Sequence, residues 1–493
     1  LVERGLIDLD QPLTTYLPEF SVKTRFPEAS PITIRHILTH HSGLPRDILR
    51  GMWTANPQPY ATVLDDLTTS YVLHPPNYIF SYSNLGMTVL GQVIERLSSM
   101  PYATYVSRKI VEPVGMTTAS IETGVAASPL MAHAYNRGKE EPELSLRDIP
   151  AGGLNASVVD LARFVQMVFA QGRAGDHHVV KPETLARMLT PQNQDVSLDL
   201  DLKMGLGWLL SDMGDLQLHN VGTVASHAGG TFHFMSQLIT LPDHKLGAVV
   251  MSNSSDAVET VTQIAEKLLA SALEAKSGLV VEAATSTHTP VIPLSPEQLA
   301  EYEGQYSTVV GMMKVARSGD HLHAEAMGKS FRLVPRPQQA LGIEYRWLGL
   351  FPIDLGELGK VTFSRATMAG RDVLIARNQQ RSRMVVGERI RPMPIPPAWL
   401  RRVGRYEIMG LPEEEVSLDR LRLSVQDEFL VVTGRVTKPK PVEFTLALTP
   451  LSDTEALVMG LGFGTGETLE VIHQSGEEFG QFSGYRLKRT STE

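Results

Sequence analysis

The sequence predicts an α+β domain over residues 1 to about 275, an antiparallel sheet flanked by helices, followed by two all-β barrel-type domains. Three observations carry that prediction. Helical and strand periodicities alternate through the first part, the tail holds only short alternating segments, and the tail repeats itself once. At 493 residues the chain exceeds what one core serves, at roughly 100–200 residues per domain.

In the first part, Val89-Leu90-Gly-Gln-Val93-Ile94-Glu-Arg-Leu97 and Asp160-Leu161-Ala-Arg-Phe164-Val165-Gln-Met167-Val168 place apolar residues at helical spacing. Asp160 is read as the N-cap of the second helix. Met235 to Leu241, Pro242-Asp243, and Gly247 to Met251 read as two strands joined by a turn. Glu259 to Leu273 reads as an amphipathic closing helix. A polar, proline-containing stretch from Ala284 to Pro293 follows and reads as a linker.

Beyond it lie alternating segments such as His321-Leu-His-Ala-Glu325 and Arg420-Leu-Arg-Leu-Ser-Val425, an all-β signature. Pro296 to Tyr306 aligns with Pro396 to Tyr406, each a proline-led helical turn running into Gly-x-Tyr. The shared offset of proline, glycine and tyrosine predicts two related barrels rather than one sandwich. The predicted boundaries are 1–275 for the α+β domain, 276–294 for the linker, 295–394 for the first barrel and 395–493 for the second.

Composition excludes several classes of function. With 42% hydrophobic and 20% charged residues, the chain has the balance of a folded globular protein rather than a disordered one. A net charge of −9 without a Lys/Arg cluster argues against a nucleic-acid surface. The absence of cysteine removes disulfides, thiolate metal sites and cysteine nucleophiles. No stretch approaches the ~18 consecutive apolar residues of a membrane-spanning helix.

Two clusters could do chemistry. Phe80-Ser-Tyr82-Ser83-Asn84-Leu-Gly86 precedes a helix and sets a phenol beside a carboxamide. A phenol moves protons when cations lower its pKa, and an amide orients a carbonyl. Ser226-His227-Ala228-Gly229-Gly230-Thr231-Phe232 leads into a strand, where glycines let a carbonyl approach backbone N–H groups. Taken singly, each is more often a structural turn than a site.

Two further runs flank them: Thr33 to Pro45, containing His36, His40 and His41, and Pro150-Ala-Gly152-Gly153-Leu154. The histidines invite a metal, but no acid or third ligand is placed beside His36 and His40, so none is predicted.

Taken together, Leu1 to Pro12, Thr33 to Pro45, Tyr82-x-Asn84, Pro150 to Leu154, Gly205-Leu-Gly-Trp208 and His227-Ala-Gly229 occur in an order that resembles the serine β-lactamase-like hydrolases. These include class C β-lactamases, D,D-carboxypeptidases, D-aminopeptidases and related esterases. The resemblance implies a β-lactamase/transpeptidase-like fold and a site built from Ser-x-x-Lys, Tyr-x-Asn and Lys/His-x-Gly. Tyr82 and Asn84 match the second element. His227 and Gly229 match the third, with Gly230 supplying an oxyanion N–H. Trp208 either lines the pocket or packs in the core. The tail resembles the lipocalin-like domains appended to some members.

Ser-x-x-Lys occurs nowhere in the sequence. In the family its serine opens a helix about a dozen residues ahead of the Leu1-Val-Glu-Arg-Gly5 segment, with serine and lysine on one helix face. Those first five residues read as the last turn of such a helix, which predicts that the nucleophile lies ahead of Leu1 and that the 493 residues alone are inactive. The expectation is a serine hydrolase acting through an acyl-enzyme on an amide, peptide or ester, without metal or organic cofactor. The alternative is a non-catalytic binding or regulatory protein that has lost the nucleophile. A small-molecule or peptide substrate is the expected partner, and an extracytoplasmic bacterial location is only the family's habit.

Overall fold

In the computed structural model the described residues are 1–122, 130–210, 221–279, 291–319, 321–347, 351–353, 359, 361–378, 382–410, 418–437, 441–462 and 464–491. Most of the stretch read as a linker lies outside them. The chain forms two compact units, one built mainly from residues up to Ala283 and one mainly from Ala284 onward. Among the described residues no helix is long and apolar enough to cross a membrane.

In the first unit, α1 spans Asn84–Ser98 and starts at an N-cap serine, Ser83, whose Oγ accepts Gly86 N–H. Its apolar stripe, Leu85, Val89 and Val93, is buried among Leu13, Leu17, Ile37 and Leu67, as a 3.6-residue period requires. The helix α2, Val158–Phe169, begins one turn earlier than its apolar pattern suggests. Its N-cap is Ser157, and Asp160 sits three residues in. This corrects the reading of Asp160 as cap: its carboxylate reaches back to Ser157 N–H while Ser157 Oγ accepts Asp160 N–H, a reciprocal capping box.

Strands β1 (Ala225–Gly230), β2 (Met235–Leu241) and β3 (Leu246–Ser252) form an antiparallel sheet in the order β3-β2-β1. Alternation along β2 places Leu238 with Val165 and Val168 of α2, and Ile239 and Leu241 with Ala265, Leu269 and Leu273 of α3 (Val258–Ser277). The sheet is thus covered on both faces, and β1 is left at its edge. At the chain's start, Val2–Arg4 form a 3₁₀ turn closed by Gly5 at φ 67°, the glycine stop read from sequence.

The second unit holds two closed eight-stranded antiparallel barrels. Helix α4 (Pro296–Tyr302) leads into β4 (Gly304–Thr308), β5 (Gly311–Ser318), β6 (His321–Ala326), β7 (Lys329–Arg336), β8 (Ala340–Trp347), β9 (Thr362–Met368), β10 (Arg371–Arg377) and β11 (Arg383–Ile390). The ring closes where β4 pairs with β11 and β7 with β8, and a short strand, Phe351–Ile353, hangs on β8. Helix α5 (Pro397–Arg401) opens the second barrel. It comprises β12 (Gly404–Ile408), β13 (Leu418–Gln426), β14 (Phe429–Val436), β15 (Val442–Pro450), β16 (Glu455–Val458), β17 (Thr468–Gln474), β18 (Glu477–Phe482) and β19 (Tyr485–Ser491).

The repeat read at Pro296–Tyr306 and Pro396–Tyr406 is matched by hydrogen bonds. Tyr306 O–H donates to Tyr302 O, and Tyr406 O–H to Arg402 O. From the last strand of each barrel, Arg389 donates to Glu301 O and Glu303 O, and Arg489 to Arg401 O and Val403 O. In both barrels one tyrosine and one arginine thus satisfy the carbonyls that the short helix leaves over.

Candidate active site

The Tyr82–Asn84 turn rests in a cradle built by the run from Thr33 to Asp47. Thr33 caps the short helix Ile34–Leu38 in a capping box with His36. The chain then reverses through His40 at φ 58° and Gly43 at φ 72°. A Cβ on Gly43 would lie 2.0 Å from His74 O, so both the conformation and the space demand glycine.

Hydrogen bonds tie the cradle to the turn. Ser81 N–H donates to His40 O at 2.8 Å, and Ser83 N–H to His40 Nδ1 at 3.1 Å. Ser83 O–H donates to Pro45 O at 2.6 Å, Leu85 N–H to Arg46 O at 3.0 Å, and Asn84 Nδ2–H to Asp47 Oδ1 at 2.9 Å. The His40 ring stacks on Tyr82, centroids 4.1 Å apart. Ser83 is buried as the cap while its neighbours Tyr82 and Asn84 remain half-buried. The cap therefore sets both candidate side chains at the mouth of α1.

Beneath the cradle, Arg147 and Asp148 form an ion pair whose side chains are 3% and 0% exposed. The Arg147 guanidinium also donates to Ile48 O and Arg50 O, pinning the chain just past Asp47.

Electrostatics follow from this burial. His40 is pushed from its ordinary 6.5 down to about 3, first by burial and then by the nearby His227 and His41. Accepting Ser83 N–H at Nδ1 acts in the same direction, since a protonated ring would turn a donor toward a donor. Burial raises the Tyr82 phenol, Arg46 pulls it back and Asp47 pushes it up. Asp47 is itself raised by burial, opposed by Arg46 and by the hydrogen bond from Asn84. His36 is lowered to about 4, mainly by burial, with His41 adding to the effect.

His36 and His40 both spend Nδ1 on a backbone N–H. Among the described residues no group of three or more potential ligands is placed to hold a metal.

A pH-dependence follows, with its sign fixed by His40. Between about 3 and 6.5 the unfolded chain binds a proton at His40 that the folded chain refuses, so folding weakens as pH falls through that window. His40→Asn keeps an acceptor and a residue tolerant of positive φ. Its urea midpoint is expected to fall less steeply with acid than that of wild type. Parallel curves would remove His40 from this role.

The second cluster lies on the sheet edge. Ser226 N–H donates to Leu209 O, and Leu209 N–H to Ser226 O, at 2.9 and 3.1 Å. Both groups of Ser226 therefore point away from β2. Because N–H direction alternates along an antiparallel strand, Ala228 and Gly230 also turn their N–H groups outward, whereas His227 and Gly229 pair with Leu238 and Ser236. From His227 to Gly230 the strand is exposed. A Cβ at Gly229 would come 2.5 Å from Ser236 Oγ, so a side chain there would crowd the strand. His227 Nδ1 lies 2.7 Å from Ala228 O.

The field of His227 reaches His40, which stacks on Tyr82, so the two clusters share one neighbourhood. Trp208 stands apart: it is 6% exposed, in the core with Val165 and Leu238, with its ring stacked on Phe164. Sequence reasoning singled out Tyr82, Asn84 and His227 but missed Arg46 and Asp47. Their signal was present, since both directly follow the Thr33 to Pro45 run.

A family model described as Beta-lactamase matches residues 1–272. Penicillin-binding protein 4* of Bacillus subtilis (strain 168) is 24% identical over 299 residues, 55% of this chain and 61% of that protein. The D-alanyl-D-alanine-carboxypeptidase/endopeptidase AmpH of Escherichia coli (strain K12) is 23% identical over 269 residues, 52% of this chain and 66% of that protein. The chain thus spans less than two thirds of the length of these relatives. Among solved structures, SurE with D-Leu shares the fold at 21% identity and a TM-score of 0.52, over 78% of this chain and 83% of that one.

Proposed function

The chain belongs to the beta-lactamase family, and from that premise we propose that it serves a serine hydrolase working through an acyl-enzyme. The observation that carries the proposal is the exposed edge of β1, where Gly230 turns its N–H outward and His227, on the same strand, acts electrostatically on the His40 that stacks on Tyr82. Pre-aimed donors where negative charge develops are worth more than any other single feature of such a site.

In this reading a serine from a Ser-x-x-Lys helix ahead of Leu1 attacks the substrate carbonyl. Its proton passes by way of Tyr82 and the lysine to the departing amine or alcohol, leaving the acyl group on the serine. Water then attacks the acyl-enzyme, giving its proton back along the same route and releasing the acid. Asn84 and His227 hold the substrate, and Gly229 and Gly230 let its carbonyl approach the strand. The buried Trp208 supports this region from the core. No organic cofactor or metal enters the scheme.

The E. coli relative's name, a D-alanyl-D-alanine carboxypeptidase/endopeptidase, supports a peptide or amide containing a D-amino acid. Histidine at 227 argues against efficient β-lactam turnover, because a lysine's permanent charge suits a substrate carboxylate better than an imidazole does. In a form carrying the Ser-x-x-Lys helix, D-alanine p-nitroanilide is expected to turn over faster than benzylpenicillin. Faster penicillin hydrolysis would contradict this substrate class.

A further inference from the structure

The turn beyond the edge strand is held by contacts that the acyl-transfer reading leaves unused. Residues 231–234 carry the chain from β1 back into β2, with Thr231 N–H bonded to Phe234 O and Phe234 N–H to Thr231 Oγ1. Glu143, remote in sequence, grips this turn with both carboxylate oxygens. Oε1 accepts Phe232 N–H at 3.1 Å, and Oε2 accepts from His233 Nδ1 at 2.7 Å. Their side chains are 4% and 7% exposed, and charge-assisted bonds of this kind fix geometry firmly where water is excluded. A second carboxylate, Glu141, lies 3.6 Å from His233 Nε2.

With its backbone held, Phe232 packs on Trp53, ring centroids 4.7 Å apart and tilted 54°. Trp53 is fixed in turn by strand pairing with Leu146, three residues after Glu143. Both residues are half-buried, neither closed off in the core nor fully exposed. A rigid aromatic pair therefore stands two residues past Gly230, at the end of the strand remote from His227.

We propose that Trp53 and Phe232 form an aromatic subsite for the acyl group of the substrate, and that Glu143 and His233 are its positioning residues. This rests on the acyl-transfer reading. With the carbonyl at Gly230 N–H and the leaving group toward His227, the acyl substituent runs to the 231–234 turn. The substrate class is then an acyl group bearing a flat apolar side chain, which two tilted rings receive in offset or edge-to-face contact.

Binding to the chain tests this without turnover. By calorimetry, N-phenylacetyl-D-alaninamide is expected to bind at least about tenfold tighter than N-acetyl-D-alaninamide, the gain from burying one aromatic ring. Phe232→Ala should bring the two ligands within about twofold of each other. Glu143→Gln keeps an acceptor for Phe232 N–H and should preserve the preference, whereas Glu143→Ala should lose it. The ratio of two ligands is a readout that a general loss of stability does not move.

Equal affinities, no binding of either ligand, or a preference that survives Phe232→Ala overturns the subsite. Covalent labelling of the serine by a fluorophosphonate, in a form carrying the Ser-x-x-Lys helix, does not need Phe232. Labelling without aromatic preference sinks the subsite alone, whereas loss of labelling in the unmutated protein sinks the acyl-transfer reading.

Discussion

In a form of the chain that carries a Ser-x-x-Lys helix ahead of Leu1, Tyr82→Phe is expected to lower kcat at least ~10²-fold while leaving the fold intact. The substitution removes only the phenolic oxygen, and the ring can keep its stack on His40. What it removes is the proposed proton carrier. Burial holds the phenol above its ordinary pKa, and Arg46 is the cation that pulls it back. A lysine ammonium beside it would act in the same direction. Steady-state kinetics with a chromogenic ester measures the effect, and turnover near that of the unmutated enzyme would take Tyr82 out of the mechanism.

Asp148→Ala is expected to destabilise the first unit by about 3–5 kcal/mol, because it leaves a buried guanidinium without its countercharge. Among the described residues Arg147 would keep its hydrogen bonds to Ile48 O and Arg50 O, which accept its protons but carry no charge. The Asp66 and Asp47 carboxylates, which feel its field, make no hydrogen bond to it. The loss should appear as a lower urea midpoint at unchanged slope. A cost below about 1 kcal/mol, the range of exposed pairs, would mean that water reaches the pair. The site should suffer with the fold, since Arg147 anchors the chain just past the Asp47 that holds Asn84.

Features set by local pattern were legible in the sequence. The helix Asn84–Ser98 and the hairpin Met235–Ser252 follow from apolar spacing. The duplicated tail follows from two Gly-x-Tyr runs, now seen as two closed barrels. Asp160 shows the limit of local reading. Serine and aspartate are both good caps, and only the reciprocal bonds assign Ser157 to the cap and Asp160 to the third position.

The rest depended on contacts between distant segments. Trp208 could line a pocket or fill a core, and its stacking on Phe164 is visible only in three dimensions. The arginines that satisfy the short helices' carbonyls lie on the last strand of each barrel, far in sequence from the tyrosines they accompany. Tyr82, Asn84, His227 and the Thr33 to Pro45 run could be named from motifs, but the hydrogen bonds by which that run holds the Tyr82–Asn84 turn could not. Glu143 and His233 are 90 residues apart, each an ordinary residue in an ordinary stretch. Polar residues acquire meaning from tertiary partners, and periodicity carries no information about those.

The central proposal is that the Tyr82–Asn84 turn and the His227–Gly230 strand serve the serine of a Ser-x-x-Lys helix. Peptide mapping after fluorophosphonate treatment tests it most directly. The account predicts an adduct on the serine of the Ser-x-x-Lys helix and none on residues 1–493 alone. An adduct on any serine within those residues, or an intact Ser-x-x-Lys form that takes up none, would contradict it.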